Sequence, residues 1–345
     1  MKSLGHLESY QVTLTVLTPI FVGSGQELKK NEYIHLRESN KIIVPNFGKL
    51  MDYLFSKQLD DAYQRFILGK ERPLRDFLRE NKVKVEDYQQ FADYEIYDVN
   101  EIIENRSLKG IQQFVKDNMG YPYIPGSSLK GAIRTAILTE KLRLGVDFEQ
   151  SYWIKDISNA TIPSFDKKKA MNWAQSLEKN ILHTLPISAK ADDAINSIMK
   201  GIAISDSQPI AKNRLTIVQK IDERIDGKAK PLPIFRECLM PETELEFTLT
   251  LDRQIMTQSG VDVDYIKKAL QRHYQWQQET YLQQFPLLST EKAITNQGTI
   301  MYLGGGVGFP HKTILHAAVG KKKGFEISAE IMDNLFRKHY HRAYA

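Results

Sequence analysis

One short stretch of the chain holds four side chains that together could bind a phosphate group: Ser127, Ser128, Lys130 and Arg134. The residue before them, Gly126, allows a tight turn, and a serine just after such a turn is well placed to cap a helix. The first N–H groups of a helix carry partial positive charge and bind anions. The spacing therefore predicts a phosphate site made of backbone amides, two hydroxyl groups, a lysine and an arginine.

Apolar residues in the same stretch predict that this helix is half-buried. They recur at helical spacing and form one stripe: Leu129, Ala132, Ile133, Ala136 and Ile137. Lys130, Arg134 and Lys141 share another face of the helix. The pattern also fits an ordinary capped helix whose basic residues are solvated, so the residues alone leave both interpretations open.

A second candidate for anion binding is a glycine-rich run: Gly304, Gly305, Gly306 and Gly308. Successive glycines let backbone N–H groups approach an anion with no side chain in the way. Lys312 follows closely and is a candidate phosphate contact. A flexible connecting loop is the alternative. A Walker-type nucleotide loop is disfavoured, because His311 stands where that motif needs a glycine.

Three segments match, in order and spacing, the motifs of one known family. They are Leu17-Thr-Pro-Ile-Phe-Val-Gly-Ser-Gly25, Ile124-Pro-Gly-Ser-Ser-Leu-Lys-Gly-Ala-Ile-Arg134 and Gly304-Gly-Gly-Val-Gly308. With these segments the chain resembles the RAMP superfamily, the RNA-binding proteins of CRISPR effector complexes. Within it, the chain is similar to the subunit that caps the guide-RNA 3′ end in type III-A (Csm) complexes.

The resemblance implies a non-catalytic RNA-binding subunit of a Csm effector complex. Such a subunit would bind the 3′ region of the guide crRNA, cap the backbone filament, and support crRNA maturation and antiviral defence. The implied partners are the crRNA, the adjacent backbone RAMP subunit, the small subunit of the complex and host nucleases. The predicted helix start would then grip phosphates, while Gly23 and Gly25 would line the same groove or contact a neighbouring subunit.

The loop after the first predicted strand argues against cleavage of target RNA by this chain. In backbone subunits of the superfamily, an aspartate in that loop cuts the target. Here residues 22–30 contain Glu27 as their only acidic residue. We therefore expect no catalytic residue and no enzyme activity.

A metal-independent endoribonuclease that processes the guide precursor is the alternative function. Such cleavage needs a general base, a general acid and a cation. His35 with Tyr33 and either Lys29 or Lys30 could be drawn in these roles. A subunit that contacts only its protein neighbours is a further alternative.

The composition is that of an ordinary soluble globular protein. The 345 residues are 42% hydrophobic and 26% charged, and the formal net charge of +5 is compatible with a polyanionic partner. The single cysteine, Cys238, excludes an intramolecular disulfide and fits a reducing cytoplasm. We find neither a signal peptide nor an apolar run that suits a membrane span, and we expect no cofactor and no metal site.

Strand and helix patterns recur in two blocks, which predicts an α+β chain of two ferredoxin-like (RRM-like) modules. We place the N-terminal module at residues 1–197, with a helical insertion at about 56–118, and the C-terminal module at 198–345. Strict alternation in Tyr10–Leu17 and Glu244–Leu251 predicts two half-buried strands.

Three further local features are predicted in the second block. Asp226-Gly227 marks a β-hairpin, and Pro231 and Pro233 place its returning arm at a sheet edge. Val263–Phe285 has the pattern of a long helix. Asp206, at the end of a short strand, is expected to have a structural role.

Overall fold

The computed structural model describes residues 2–97, 108, 110–144, 167–190, 193–223, 226–281, 298–309 and 311–335. Within these ranges, helices pack on two β-sheets. The α+β class predicted from the sequence is therefore confirmed.

The secondary-structure elements are as follows. The strands are β1 (Lys2–Leu4), β2 (Leu7–Thr15), β3 (Gly23–Lys29), β4 (Ile34–Leu36), β5 (Lys41–Pro45), β6 (Ala92–Tyr97), β7 (Gly110–Phe114), β8 (Ile202–Ile204), β9 (Leu215–Glu223), β10 (Ala229–Leu239) and β11 (Glu244–Asp252). The helices are α1 (Phe47–Ser56), α2 (Asp60–Leu68), α3 (Leu74–Glu80), α4 (Gly126–Arg143), α5 (Lys167–Leu182), α6 (Arg253–Ser259), α7 (Val263–Thr280), α8 (Leu315–Val319) and α9 (Lys321–Leu335). In the part of the chain that is described, no helix combines the length and the apolar character that crossing a membrane requires.

The smaller sheet has four antiparallel strands in the order β1-β2-β11-β8. β2 pairs with β11 along its whole length. The alternation predicted for β11 is present, because Glu244 and Glu246 are exposed while the other face is buried: Leu245, Phe247, Leu249 and Leu251. One face of this sheet therefore lies in the main hydrophobic core.

The larger sheet has seven strands in the order β3-β7-β10-β9-β6-β5-β4. β10 is parallel to β7 and β6 is parallel to β9, whereas the other neighbours are antiparallel. The β9–β10 hairpin forms around the predicted Asp226-Gly227 turn and occupies the middle of the sheet.

Both sheets take strands from both sides of the predicted boundary between residues 197 and 198. In the smaller sheet β2 pairs with β11, and in the larger sheet β6 and β7 flank the β9–β10 hairpin. A cut at this boundary would separate hydrogen-bonded neighbours in each sheet. The division into modules at 1–197 and 198–345 stays a prediction about how the chain is organised.

The predicted helical insertion at about 56–118 is helical only in its first part. α2 and α3 lie there, but residues 92–97 and 110–114 form β6 and β7, which extend the larger sheet. Helices α1 to α3 pack over β4 and β5 around a second hydrophobic core, in which the rings of Phe66 and Phe77 stack with centroids 4.8 Å apart. Residues 98–107 and 109 lie outside the described ranges.

The returning arm of the hairpin, β10, is an interior strand and not the predicted edge strand. Its pairing with β7 involves Phe235 and Arg236, beyond both prolines in the chain. Between Pro231 and Phe235 the register with β9 shifts through a bulge. The prolines are tolerated because they lie outside the segment that β7 pairs with.

Helix α4 lies between β8 and α7. Its predicted apolar stripe is buried in the main core, with Leu129, Ile133, Ala136 and Ile137 at most 4% exposed. Glu140, which is also buried, forms an ion pair with Arg272 of α7. These contacts fix α4 against α7 and leave the side that carries the predicted binding residues toward solvent.

Candidate nucleic-acid interface

Helix α4 begins at Gly126, but neither predicted serine caps it. The residue before the helix is Pro125, which offers no side-chain hydrogen bond. Instead, Oδ1 of Asp206 accepts a hydrogen bond from the Gly126 N–H at 2.8 Å. A carboxylate at this position is favoured by the helix dipole. The chain's own acidic group thus takes the place where a phosphate was predicted, which confirms a structural role for Asp206.

Glycine at position 126 is required by a close approach between backbones. A Cβ on Gly126 would lie 2.3 Å from the carbonyl oxygen of Ile204 and 2.4 Å from that of Ser205. The start of α4 is therefore packed against the end of β8. A ligand site on this helix must lie along its side and not at its N-terminus.

A cavity is present in that position. A cavity of about 420 Å³ lies along α4, between that helix and α7, and residues 300–305 and 311–312 form another wall. We call it the α4–α7 cavity. Predicted residues of α4 line it, namely Ser127, Ser128 and Arg134. Predicted residues from distant segments also line it, namely Gly23, Gly304, Gly305 and Lys312.

Four other predicted residues do not line this cavity: Gly25, Lys130, Gly306 and Gly308. Lys130 is half-buried on α4, and burial lowers the pKa of its amine. Gly25 and Gly308 are exposed and have φ values of 83° and 78°, a conformation that favours glycine. These two glycines therefore have a backbone reason for their identity.

The glycine-rich run is held by protein contacts more than was predicted. Gly304 has a φ of 85°, and a Cβ there would lie 2.2 Å from the carbonyl oxygen of Phe21. The N–H of Gly305 donates to the same carbonyl at 2.6 Å, so this amide is not free to bind a phosphate. Arg236 lies over the Phe21 ring, 5.0 Å from its centroid, and beside Gly306. The glycines let the run lie flat against Phe21 and Arg236.

Two cations face the cavity in different electrostatic settings. Nη1 of Arg134 lies 2.8 Å from Oε1 of Glu178, and the side chains are 46% and 34% exposed. A phosphate would have to compete with Glu178 for this guanidinium. Lys312 is exposed at the opposite wall. The predicted cations Arg134 and Lys312 therefore border the same space, although they are far apart in the sequence.

Sequence reasoning missed the polar wall that α7 contributes. His273, Tyr274 and Gln277 line the cavity from this helix, and Tyr302 and His311 line it from the facing segments. Burial lowers the pKa of His273 to about 4 and also lowers that of His311. Both imidazoles are therefore neutral near pH 7. The sequence did contain a signal for the α7 wall: three polar side chains at i, i+1 and i+4 spacing interrupt an otherwise apolar helix face.

The alternative endoribonuclease site around His35 is not assembled. Tyr33 is 4% exposed and its hydroxyl donates to the carbonyl of Leu108 at 3.3 Å, while burial raises its pKa. Burial, together with the charges of Arg37 and Arg75, lowers the pKa of His35 to about 4. A phenol bound to the protein and a weakly basic imidazole do not make the predicted acid–base set.

The sequence profile of the RAMP superfamily matches residues 13–308, a span that includes α4, α7 and the glycine-rich run but ends before His311 and Lys312. The chain belongs to the RAMP superfamily. This confirms the family resemblance carried by the three motifs.

Among RAMP proteins, the chain is similar to several named CRISPR system Cms protein Csm5. The protein of Streptococcus thermophilus is 28% identical over 323 residues, which covers 90% of this chain and 82% of that protein. The protein of Enterococcus italicus is 27% identical over 362 residues, which covers 96% and 87%.

Two solved structures share the fold. A chain in the cryo-EM structure of a Csm–crRNA–target RNA ternary complex from a type III-A CRISPR-Cas system superposes with a TM-score of 0.65 at 21% identity, covering 92% of this chain and 91% of that one. The crystal structure of T. onnurineus Csm5 gives a TM-score of 0.59 at 21% identity, covering 79% and 82%.

Proposed function

We propose that this RAMP chain is a non-catalytic RNA-binding subunit of a type III-A Csm complex. It holds the 3′ region of the guide crRNA, caps the filament of backbone subunits, and supports crRNA maturation and antiviral defence. The observation that carries the proposal is the convergence of Arg134, Lys312, two serine hydroxyls and the Gly304–Gly305 backbone on one cavity.

The chemistry of this cavity suits a sugar-phosphate chain. Arginine and lysine side chains bind phosphate oxygens, and serine hydroxyls donate to phosphate or to ribose. Bare glycine backbone beside them allows the strand to approach closely. The exposed Glu244 and Glu246 of β11 would repel phosphates, so the strand follows the cavity side. We propose that the RNA strand continues beyond the cavity past the four predicted contacts that do not line it: Lys130, Gly25, Gly306 and Gly308.

The architecture supports a ferredoxin-like module in this role. Elements β2, α4, β8, β11 and α7 occur along the chain in strand–helix–strand–strand–helix order, with other elements between them, and the three strands are neighbours in one sheet. This is the order of the first five of the six elements in the ferredoxin-like unit. We propose that it draws on both predicted modules, 1–197 and 198–345, and that the larger sheet contains the second module.

The partners follow from the similarity to Csm5 proteins. We propose that the chain contacts the crRNA, the adjacent backbone RAMP subunit and the small subunit of the Csm complex, and that it positions host nucleases in the cytoplasm. We assign it no catalytic step, because the His35 set is not assembled and residues 22–30, most of which form β3, contain no aspartate.

Co-purification from cells tests the function. The tagged chain is expected to bring down other Csm subunits and crRNA. The same experiment with Arg134→Ala/Lys312→Ala is expected to retain the protein partners and to lose crRNA occupancy at the 3′ end. The experiment uses complexes that hold no target RNA. If the tagged wild-type chain then brings down Csm proteins without crRNA, the chain contacts only its protein neighbours and the proposal is wrong.

Binding of guide-length RNA to the purified chain tests the site. Arg134→Ala is expected to weaken binding more than Lys130→Ala, because Arg134 lines the cavity and Lys130 does not. Equal affinity of wild type and Arg134→Ala/Lys312→Ala would contradict the site assignment.

A further inference from the structure

The proposed function leaves two histidines of the α4–α7 cavity without a role. Nδ1 of His311 donates to the carbonyl oxygen of Val307, which leaves Nε2 as an acceptor. Nε2 of His273 lies 2.7 Å from the side-chain nitrogen of Gln277, so it accepts there and Nδ1 carries the ring proton. Nε2 of His311 is buried and has no hydrogen-bond partner among the described residues, whereas the ring of His273 also faces the backbone of His311. Buried polar groups without partners are uncommon, and Nε2 of His311 offers an acceptor to a bound molecule.

The wall beside these histidines is aromatic. The ring centroid of Tyr302 lies 3.8 Å from that of His311 and 5.8 Å from that of Tyr274. All three side chains line the cavity and are half-buried, so each keeps part of its ring surface accessible. Aromatic side chains in this position are the usual stacking platform for bases of single-stranded RNA.

The opposite wall contains a glycine that no packing contact requires. Gly131 lies in the interior of α4, and a Cβ there would have no heavy atom of the described residues within 4 Å. Glycine destabilises a helix interior relative to alanine. A missing side chain at this position keeps the cavity open, which gives the glycine a reason that packing does not supply.

We propose that the α4–α7 cavity holds one unstacked nucleotide of the bound RNA, with its base against the rings of Tyr274 and Tyr302. This inference rests on the proposed function and adds to it the part of the RNA that enters the cavity. At about 420 Å³, the cavity lies at the low end of the range of about 300–1,000 Å³ that holds small molecules. That volume suits a single nucleotide and not a longer stretch of strand.

The charges and polar groups place the parts of this nucleotide. Its phosphate lies between Arg134 and Lys312, the two cations that border the cavity. The acceptor Nε2 of His311 binds the base edge, where amino groups donate. The hydroxyls of Ser127 and Ser128 are left for the ribose.

Fluorescence of 2-aminopurine, an adenine analogue whose emission is quenched when it stacks, tests the proposal. The probe is placed at the 3′-terminal position of a guide-length RNA or, in separate RNAs, at each of the preceding positions. We expect several-fold quenching at one position on binding to the full chain. A cavity that holds one nucleotide predicts that the positions on either side of it are not quenched to the same extent.

A variant that fills the cavity from α4 is compared with a matched variant outside the cavity. Gly131→Leu places a side chain in the open space and adds a better helix former, so the variant is expected to fold. It should abolish the position-specific quenching and weaken RNA binding by about tenfold or more, as loss of one stacked base does. Gly48→Leu, the same change at an exposed helix glycine far from the cavity lining, should alter neither result.

The outcomes separate the two proposals. Tight RNA binding with no quenched position, or with quenching that Gly131→Leu leaves unchanged, overturns the single-nucleotide inference and leaves the proposed function intact. Absence of measurable RNA binding to the wild-type chain overturns both.

Discussion

At the scale of single residues, Arg134 is held between two anions, its partner Glu178 and the proposed phosphate. The ion pair is half exposed and contributes at most about 1 kcal/mol to stability. Glu178→Gln is therefore expected to free the guanidinium and strengthen binding of guide-length RNA.

Arg134→Ala should weaken binding and reduce the slope of log K against log salt by about 0.7, the value for one lost phosphate contact on a single strand. Filter binding at several salt concentrations measures both effects.

A matched variant distinguishes the effect of releasing Arg134 from the effect of a change in net charge. Glu86→Gln removes the same charge from an exposed helical turn that follows α3 and does not line the cavity, and it should leave the affinity unchanged. An equal gain in affinity from both glutamine variants would show that charge alone is responsible.

The buried hydrogen-bond network of Glu237 is expected to stabilise the larger sheet. It is 0% exposed, accepts from the hydroxyl of Tyr94 at 2.6 Å and the N–H of Phe114 at 2.9 Å, and pairs with Lys116 at 2.6 Å. Glu237→Ala leaves these partners unpaired, so the free energy of unfolding should fall by about 3–5 kcal/mol. Urea unfolding measures it, and a loss below about 1 kcal/mol, the size of an exposed pair, would contradict the role assigned to this network.

At the scale of elements, the start of α4 distinguishes two sites that the sequence could not. If phosphate bound at the helix N-terminus, removing the carboxylate of Asp206 would strengthen RNA binding. Because the cavity lies along the side of α4, we expect Asp206→Ala to leave the affinity nearly unchanged. The variant should cost about 1 kcal/mol of stability through loss of the cap. A clear gain in RNA affinity would restore the N-terminal site.

Local patterns predicted elements well because each element buries a face of its own. The alternation in β2 and β11, the Asp226-Gly227 hairpin and the apolar stripe of α4 depend on neighbours in the sequence. The pairing of β2 with β11 and the interior position of β10 depend on residues far away in the chain. No local pattern contains that information.

The site divides in the same way. Ser127, Ser128, Arg134 and the glycine-rich run were recognisable from their spacing. The three α4 residues border one cavity together with Gly304 and Gly305, but Gly306 and Gly308 do not line it. Their electrostatic partners were not recognisable, since Asp206 and Glu178 reach α4 from other segments. Likewise, His273 lines the cavity only because α7 packs beside α4.

At the scale of the whole molecule, buried histidines make stability depend on pH. Burial lowers the pKa of His35, His273 and His316 to about 4 each, whereas an unfolded chain has histidine pKa values of about 6.5. Between these values the unfolded state binds more protons. The free energy of unfolding should therefore be highest above about pH 6.5 and fall as the pH decreases toward about 4.

Urea unfolding across this pH window checks the expectation. His316 packs in an aromatic cluster with Tyr281 and Phe325, so His316→Phe keeps a ring there and removes one titrating group. The variant should lose less stability on acidification than the wild type. A wild-type free energy of unfolding that stays constant through the window would contradict the account of these buried rings.

The central claim is that the guide strand lies along α4 and the glycine-rich run. Photocrosslinking of crRNA that carries thiouridine near its 3′ end, within the assembled complex, tests it most directly when the crosslinked peptides are identified by mass spectrometry. The account predicts crosslinks to peptides that contain residues 127–134 or 300–312. Crosslinks confined to the acidic face of β11, or to other subunits alone, would contradict it.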